Sequence, residues 1–128
     1  MEWRENIKFK LFGSRAKGTA RPDSDWDVVV ILPIKIKSRS ALSCDVDFAV
    51  AEVVGWENIA LDIDTSEPDG WMWKEARKQL SIPDKDKLDL FVHYVVQTDD
   101  GREFTCVDRL IWSVTHQCFA GWVLEKDI

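Results

Sequence analysis

Carboxylates recur in this chain as Asp-x-Asp pairs: Asp25/Asp27, Asp45/Asp47, Asp62/Asp64 and Asp84/Asp86. Two carboxylates that share a face can clamp a hard divalent cation such as Mg²⁺, leaving the rest of its shell to water or a substrate phosphate. Alternate residues share a face on a strand, whereas on a helix the same spacing turns the groups about 200° apart. Asp45/Asp47 falls in a stretch with helical spacing and Asp84/Asp86 in a polar connection, so neither predicts a preformed clamp. Asp62/Asp64 lies in a short alternating run and stays a candidate. Asp25/Asp27 leads into Val28-Val29-Val30-Ile31, a β-branched run that favours a strand. Asp25, Asp27 and Val29 then face one way, and Trp26, Val28 and Val30 the other. Taken alone, the same residues also read as turn and strand-edge polarity.

A second feature stands upstream, in LFGSRAKGTARPDSDWDVVVIL. Ten residues separate Ser14 from Asp25. Gly13 lets backbone approach a phosphate closely, and Ser14 adds a hydroxyl beside exposed N–H groups. Lys8, Lys10, Arg15, Lys17 and Arg21 make this region basic, as either a solvated face or a site for a small polyanion such as a nucleoside triphosphate. A P-loop would need Lys directly after the second Gly; Thr19 stands there and Lys17 precedes Gly18, so that motif is rejected.

The run from Leu11 to Leu32 resembles the signature of the DNA polymerase beta-type nucleotidyltransferase superfamily, and within it the minimal nucleotidyltransferases. That signature joins a hydrophobic residue and Gly-Ser to Asp-x-Asp across about ten residues. The resemblance implies that Gly13 and Ser14, with Arg15 and Lys17 nearby, bind the triphosphate, while Asp25 and Asp27 hold Mg²⁺ or Mn²⁺. It also implies a third acid on a later strand that completes the metal site and helps deprotonate the attacking hydroxyl. Asp89, at the start of the apolar strand KLDLFVHYVV, is the choice here, with Asp62 and Asp64 as alternatives. The implied reaction moves a nucleoside monophosphate, AMP from ATP, to a hydroxyl. Small members of the family act as antitoxins beside a HEPN-type toxin and can modify its tyrosine, which would supply the acceptor in trans. A catalytically inactive module of the same fold is the competing reading, and a stand-alone homodimeric enzyme acting on a small molecule is a third. Only residues 1–6 precede the first strand, where such domains usually place a helix. One sheet face is then left bare or covered by another element, such as the tail.

The elements that must position these residues follow from periodicity. Ile7 to Phe12 alternates as a strand, Arg15 to Ala20 is a short helix or loop, and Asp25 to Leu32 is a strand that Pro33 ends. Residues 34–40 are a basic connection. A helical stripe runs through Leu42, Val46, Ala49, Val50 and Val53, with Val53-Val54-Gly55 suggesting an end; a short strand spans Ile59 to Asp64, a helix Trp71 to Leu80, and a strand Leu88 to Val96. Thr98-Asp99-Asp100-Gly101 is a hairpin turn into Glu103 to Val107. Residues 108–124 fit helix and strand equally. The expected fold is one α/β (α+β) domain over residues 1–128, with a mixed sheet of four to six strands and helices packed on it.

Composition narrows the function classes. The chain has 128 residues, 45% hydrophobic and 31% charged, a globular balance. Its longest strongly apolar run, Val28 to Leu32, falls far short of the ~20 residues of a membrane helix. The N-terminus holds no uninterrupted apolar segment, so no leader is expected. The net charge of −6 divides unevenly: residues 1–39 hold nine Lys and Arg against five acids, and the remainder eight against eighteen. Such an acidic chain is poorly suited to tracking nucleic acid. Cys44, Cys106 and Cys118 form no CxxC pair and read as buried thiols of a cytoplasmic protein. His93 and His116 are too few for a multi-histidine metal site, so any metal must be held by carboxylates.

Overall fold

The structure is a computed structural model that describes residues 2–128. A turn of 3-10 helix, Glu2–Asn6, leads into β1 (Lys8–Phe12), which pairs antiparallel with β2 (Trp26–Ser38). Between them the chain forms one helical turn, α1 (Ser14–Lys17), closed by Gly18 in a left-handed conformation. After β2 come α2 (Ser43–Val54), a two-residue strand β3 (Ala60–Leu61) and α3 (Trp71–Leu80). This long excursion is what a parallel pairing requires, and β4 (Leu88–Thr98) returns parallel to β2. β5 (Glu103–Arg109) folds back antiparallel on β4.

The tail is short strands rather than helix. β6 (Ile111–Ser113) and β7 (Cys118–Phe119) join β3 in a small second sheet, and β8 (Trp122–Val123) adds to β5. The main sheet is therefore mixed, with five strands in the order β1-β2-β4-β5-β8. With its helices it is the small α+β domain that the sequence pattern predicts.

One face of the main sheet carries the larger core. Val28, Val30, Leu90, Val92, Tyr94 and Val96 pack against Val46, Val50 and Val54 of α2 and Met72 and Ala76 of α3. Asn58 ties these layers together from inside. Its amide donates to the Val54 carbonyl (3.0 Å) and its side-chain oxygen accepts the Met72 N–H at the start of α3 (3.0 Å). Trp73 Nε1–H donates to the Asn58 carbonyl at 2.6 Å. The opposite face holds a smaller cluster of Val29, Phe91 and Val107, against which Phe12, Val123 and Ile128 pack. The tail thus covers part of this face.

Three expectations need correction. β2 does not stop at Pro33 but runs on to Ser38, through a register shift between Ile31 and Lys35. Proline lacks a donor and is tolerated at such an irregularity, and β1 pairs with β2 no further than Ile31. The strand expected over Ile59 to Asp64 shrinks to Ala60–Leu61. Asp64 then turns back, its N–H bonded to the Leu61 carbonyl at 3.0 Å. Of the cysteines expected to be buried, Cys44 is exposed on α2 and the other two are half-buried; all three are free.

Candidate active site

The parallel pairing sets Asp27 directly opposite Asp89, and the antiparallel pairing sets Phe12 opposite Asp27. Side chains of paired residues in a sheet project to the same side, and alternation carries Val29 and Phe91 to that side as well. Both carboxylates therefore lie on the face of the smaller cluster, at the N-terminal ends of the two central strands. Asp25 sits just before β2, where the Trp26 N–H bonds to the Lys87 carbonyl at 2.9 Å and holds the two strand starts together.

Gly13 stands against Asp27. Its φ of +75° and ψ of −157° lie in a region that residues with side chains avoid. A Cβ placed there would fall 2.6 Å from Asp27 Oδ2. Glycine is thus required twice over, by the turn and by the approach of the carboxylate. The chain then enters α1 at Ser14, and the first N–H groups of a helical turn have no partner inside it. Gly13 abuts Asp27, Ser14 follows it in the chain, and Lys17 is exposed at the far end of α1.

Arg15, expected beside the triphosphate, makes its contacts here with its own loop. Its guanidinium donates to the carbonyls of Ser24 (2.9 Å) and Pro22 (3.2 Å) and lies over the Trp26 ring, 4.3 Å from the centroid. Both bonds come from Nη2 and brace the loop between Gly18 and Asp25, while Nε is buried without a hydrogen-bond partner among the described residues. Trp26 is anchored in turn by Asp86, whose Oδ2 accepts the indole N–H at 3.0 Å.

Two cations missed by sequence reasoning complete the charge pattern. Arg109 Nη2 donates to Asp89 Oδ1 at 2.7 Å, and Lys87 Nζ lies 3.9 Å from Asp25 Oδ2. Asp27, between these acids, has no ion pair of its own among the described residues. Burial raises its pKa above the usual carboxylate range, the charges of Asp89 and Asp25 add to this, and Arg109 opposes it. A row of three acids whose middle member is destabilised by its neighbours suits a divalent cation, which reverses that repulsion and takes oxygen ligands. Asp89, however, is turned to Arg109. Among the described residues no three metal-ligating side chains are gathered into a ready shell. Lys87 had a sequence signal, two residues before Asp89. Arg109 had none, since its position depends on the β4–β5 register.

The alternative acids do not join this row. Asp62 Oδ1 accepts the Val114 N–H at 3.1 Å and Asp64 Oδ1 the Ser66 N–H at 2.9 Å, both on exposed loops. Asp64 does line a cleft of about 330 Å³ beside Asp89, together with Glu67, Lys87, Leu88 and Arg109. Neither Asp25 nor Asp27 opens into it. His93 lies one row beyond Phe91, with Nε2 3.4 Å from Glu125 Oε1. Among the described residues no helix is long and apolar enough to cross a membrane.

No curated protein and no solved structure matches the chain. The model of the nucleotidyltransferase domain family matches residues 1–96, a span that holds β1, the Gly-Ser turn, β2, β4 as far as Val96 and all three acids. The chain belongs to the nucleotidyltransferase domain family.

Proposed function

We propose that this nucleotidyltransferase domain moves AMP from ATP to a hydroxyl acceptor with the help of Mg²⁺ or Mn²⁺. The observation that carries the reading is the in-register pair Asp27–Asp89 beside the Gly13-Ser14 turn. Gly13 and Ser14 receive the triphosphate, Lys17 adds charge at its outer end, and Arg15 braces the loop that delivers Asp25. Asp25, Asp27 and Asp89 are the residues that would hold the cation. A bound divalent ion supplies charge neutralisation to the triphosphate and to the oxygens entering and leaving at phosphorus. Asp89 alone of the three acids borders the cleft, so the acceptor enters there. Its carboxylate takes the hydroxyl proton, the freed oxygen bonds to the α-phosphorus, and the α–β bridging P–O bond breaks to release pyrophosphate.

A cleft of about 330 Å³ suits one side chain or a small molecule. In this reading the acceptor is presented by a second protein, such as the tyrosine of a HEPN-type toxin. The three free thiols accord with a reducing cytoplasm. The test is incubation with α-labelled ATP, Mg²⁺ and candidate acceptors, the chain itself included. Label should move to an acceptor in wild type. Asp89→Asn should lose about 10²–10⁴-fold in rate, as expected for removal of a general base, while Asp62→Asn stays active. An active Asp89→Asn, or a wild type that binds no ATP with Mg²⁺, would refute the assignment.

A further inference from the structure

We propose that Arg109 is a positioning residue that competes with the divalent cation for Asp89 and holds this acid out of the metal shell in the resting chain. The inference rests on the acid row being a divalent-cation site. Arg109 pairs with Phe91, and Phe91 lies two residues beyond Asp89 on the same face, so Arg109 is a diagonal cross-strand neighbour of the acid. Diagonal neighbours lie within reach of a long side chain, and the 2.7 Å contact completes the bridge.

The arm is also supported from its other side. The Arg109 N–H bonds to the Gly121 carbonyl at 3.0 Å. A Cβ at Gly121 would lie 3.4 Å from Arg109 Cβ and 3.7 Å from Cδ. The arginine stem therefore rests along bare backbone, next to β8, with its head aimed at Asp89. The Asp89 side chain is only 15% exposed, so little water competes with the guanidinium. The two outer acids each face a cation, Lys87 at Asp25 and Arg109 at Asp89, but the two are not equivalent. Lys87 is 67% exposed at 3.9 Å, a contact that water and salt screen readily. Arg109 is the one that a cation must displace to recruit the third acid.

Mn²⁺ binding in the absence of nucleotide, followed by electron paramagnetic resonance at fixed ionic strength, tests this directly. Arg109→Gln should bind Mn²⁺ more tightly than wild type, on the order of tenfold, because one charge is removed and one ligand freed. Arg109→Lys, which keeps the charge, should stay near wild type. Asp89→Asn alone leaves the Arg109 charge uncompensated and should weaken Mn²⁺ binding, and added to Arg109→Gln it should abolish the gain, returning affinity to near wild type. Arg109→Gln binding no tighter than wild type overturns the proposal. So does a gain that survives Asp89→Asn in the double variant. Repeating the titration with ATP separates the two readings. If no variant binds Mn²⁺ even then, the metal-site reading falls as well; if wild type binds and Arg109→Gln is no tighter, only the role of Arg109 falls.

Discussion

Gly13 and Gly18 bracket the same helical turn and have nearly the same φ, +75° and +74°, yet alanine should have different consequences at the two positions. At Gly18, ψ is 14°, an ordinary left-handed conformation, and an added Cβ meets nothing within 4 Å. Alanine there carries a left-handed penalty of about 1–2 kcal/mol, partly offset by about 0.4–1 kcal/mol from a stiffer unfolded chain. At Gly13, ψ is −157°, which places the residue in a region almost reserved for glycine and costs about 1–3 kcal/mol. The new methyl would also meet Asp27 Oδ2 at 2.6 Å, with Cγ at 3.4 Å and Cβ at 3.5 Å behind it. The carboxylate must rotate away, and with it the central acid of the row. Urea unfolding should show Gly18→Ala within about 1 kcal/mol of wild type and Gly13→Ala clearly less stable. Mg²⁺-dependent ATP binding by calorimetry should fall about tenfold or more for Gly13→Ala alone. Equal stability losses in the two variants, with ATP binding intact in Gly13→Ala, would refute the reasoning.

Ser14→Ala should weaken Mg²⁺-dependent ATP binding by one hydrogen bond, about 0.5–1.5 kcal/mol, measured by calorimetry. Asn58→Ala strips a buried donor and acceptor and leaves the Met72 N–H unpaired, so urea unfolding should show a loss of about 2 kcal/mol or more. Asp108, which accepts the Tyr94 hydroxyl beside Cys106 and Asp47, has its carboxyl pushed up to about 6 by burial, with the Tyr94 bond opposing and Asp47 adding. An unfolded aspartate titrates near pH 3.9, so the folded state binds the extra proton and its stability falls as pH climbs from about 4 to 6, by up to about 3 kcal/mol. Asp108→Asn keeps an acceptor for Tyr94 and should flatten that slope in thermal unfolding from pH 4 to 8; an unchanged slope counts against the buried-carboxyl account.

What was legible in the sequence was local. Leu11 to Leu32 carries its strands, its turn and its acid spacing within one contiguous stretch, and the β1–β2 pairing follows that reading. The choice of Asp89 over Asp62 relied on strand strength, and the structure sets Asp89 opposite Asp27 because a long apolar run forms a central strand. What escaped depends on distant register. Arg109 looks like any strand-end arginine until β5 is aligned on β4. The extension of β2 past Pro33 needs a partner strand able to absorb a slip. For Arg15 the sequence suggested a phosphate beside a Gly-Ser turn, and its contacts with the carbonyls of Pro22 and Ser24 and the Trp26 ring had no local pattern to reveal them. The short strands β6 to β8 have no periodicity to read, being two or three residues long.

The tie between the starts of β2 and β4 also bears on the order in which the domain is built during synthesis. Gly13, Asp25 and Asp27 belong to an adjacent antiparallel pair whose loop closes early. Asp89 reaches them only after the crossover through α2 and α3, and the Trp26–Asp86 bond that pins the strand starts spans 60 residues. Contacts of that separation form late, since loop closure must precede the burial that rewards it. A chain still emerging from the ribosome therefore carries the Gly13-Ser14 turn and the Asp25–Asp27 end of β2 before Asp89 is in place beside them. On the proposed function, the partly built domain would lack its general base until the parallel strand has docked.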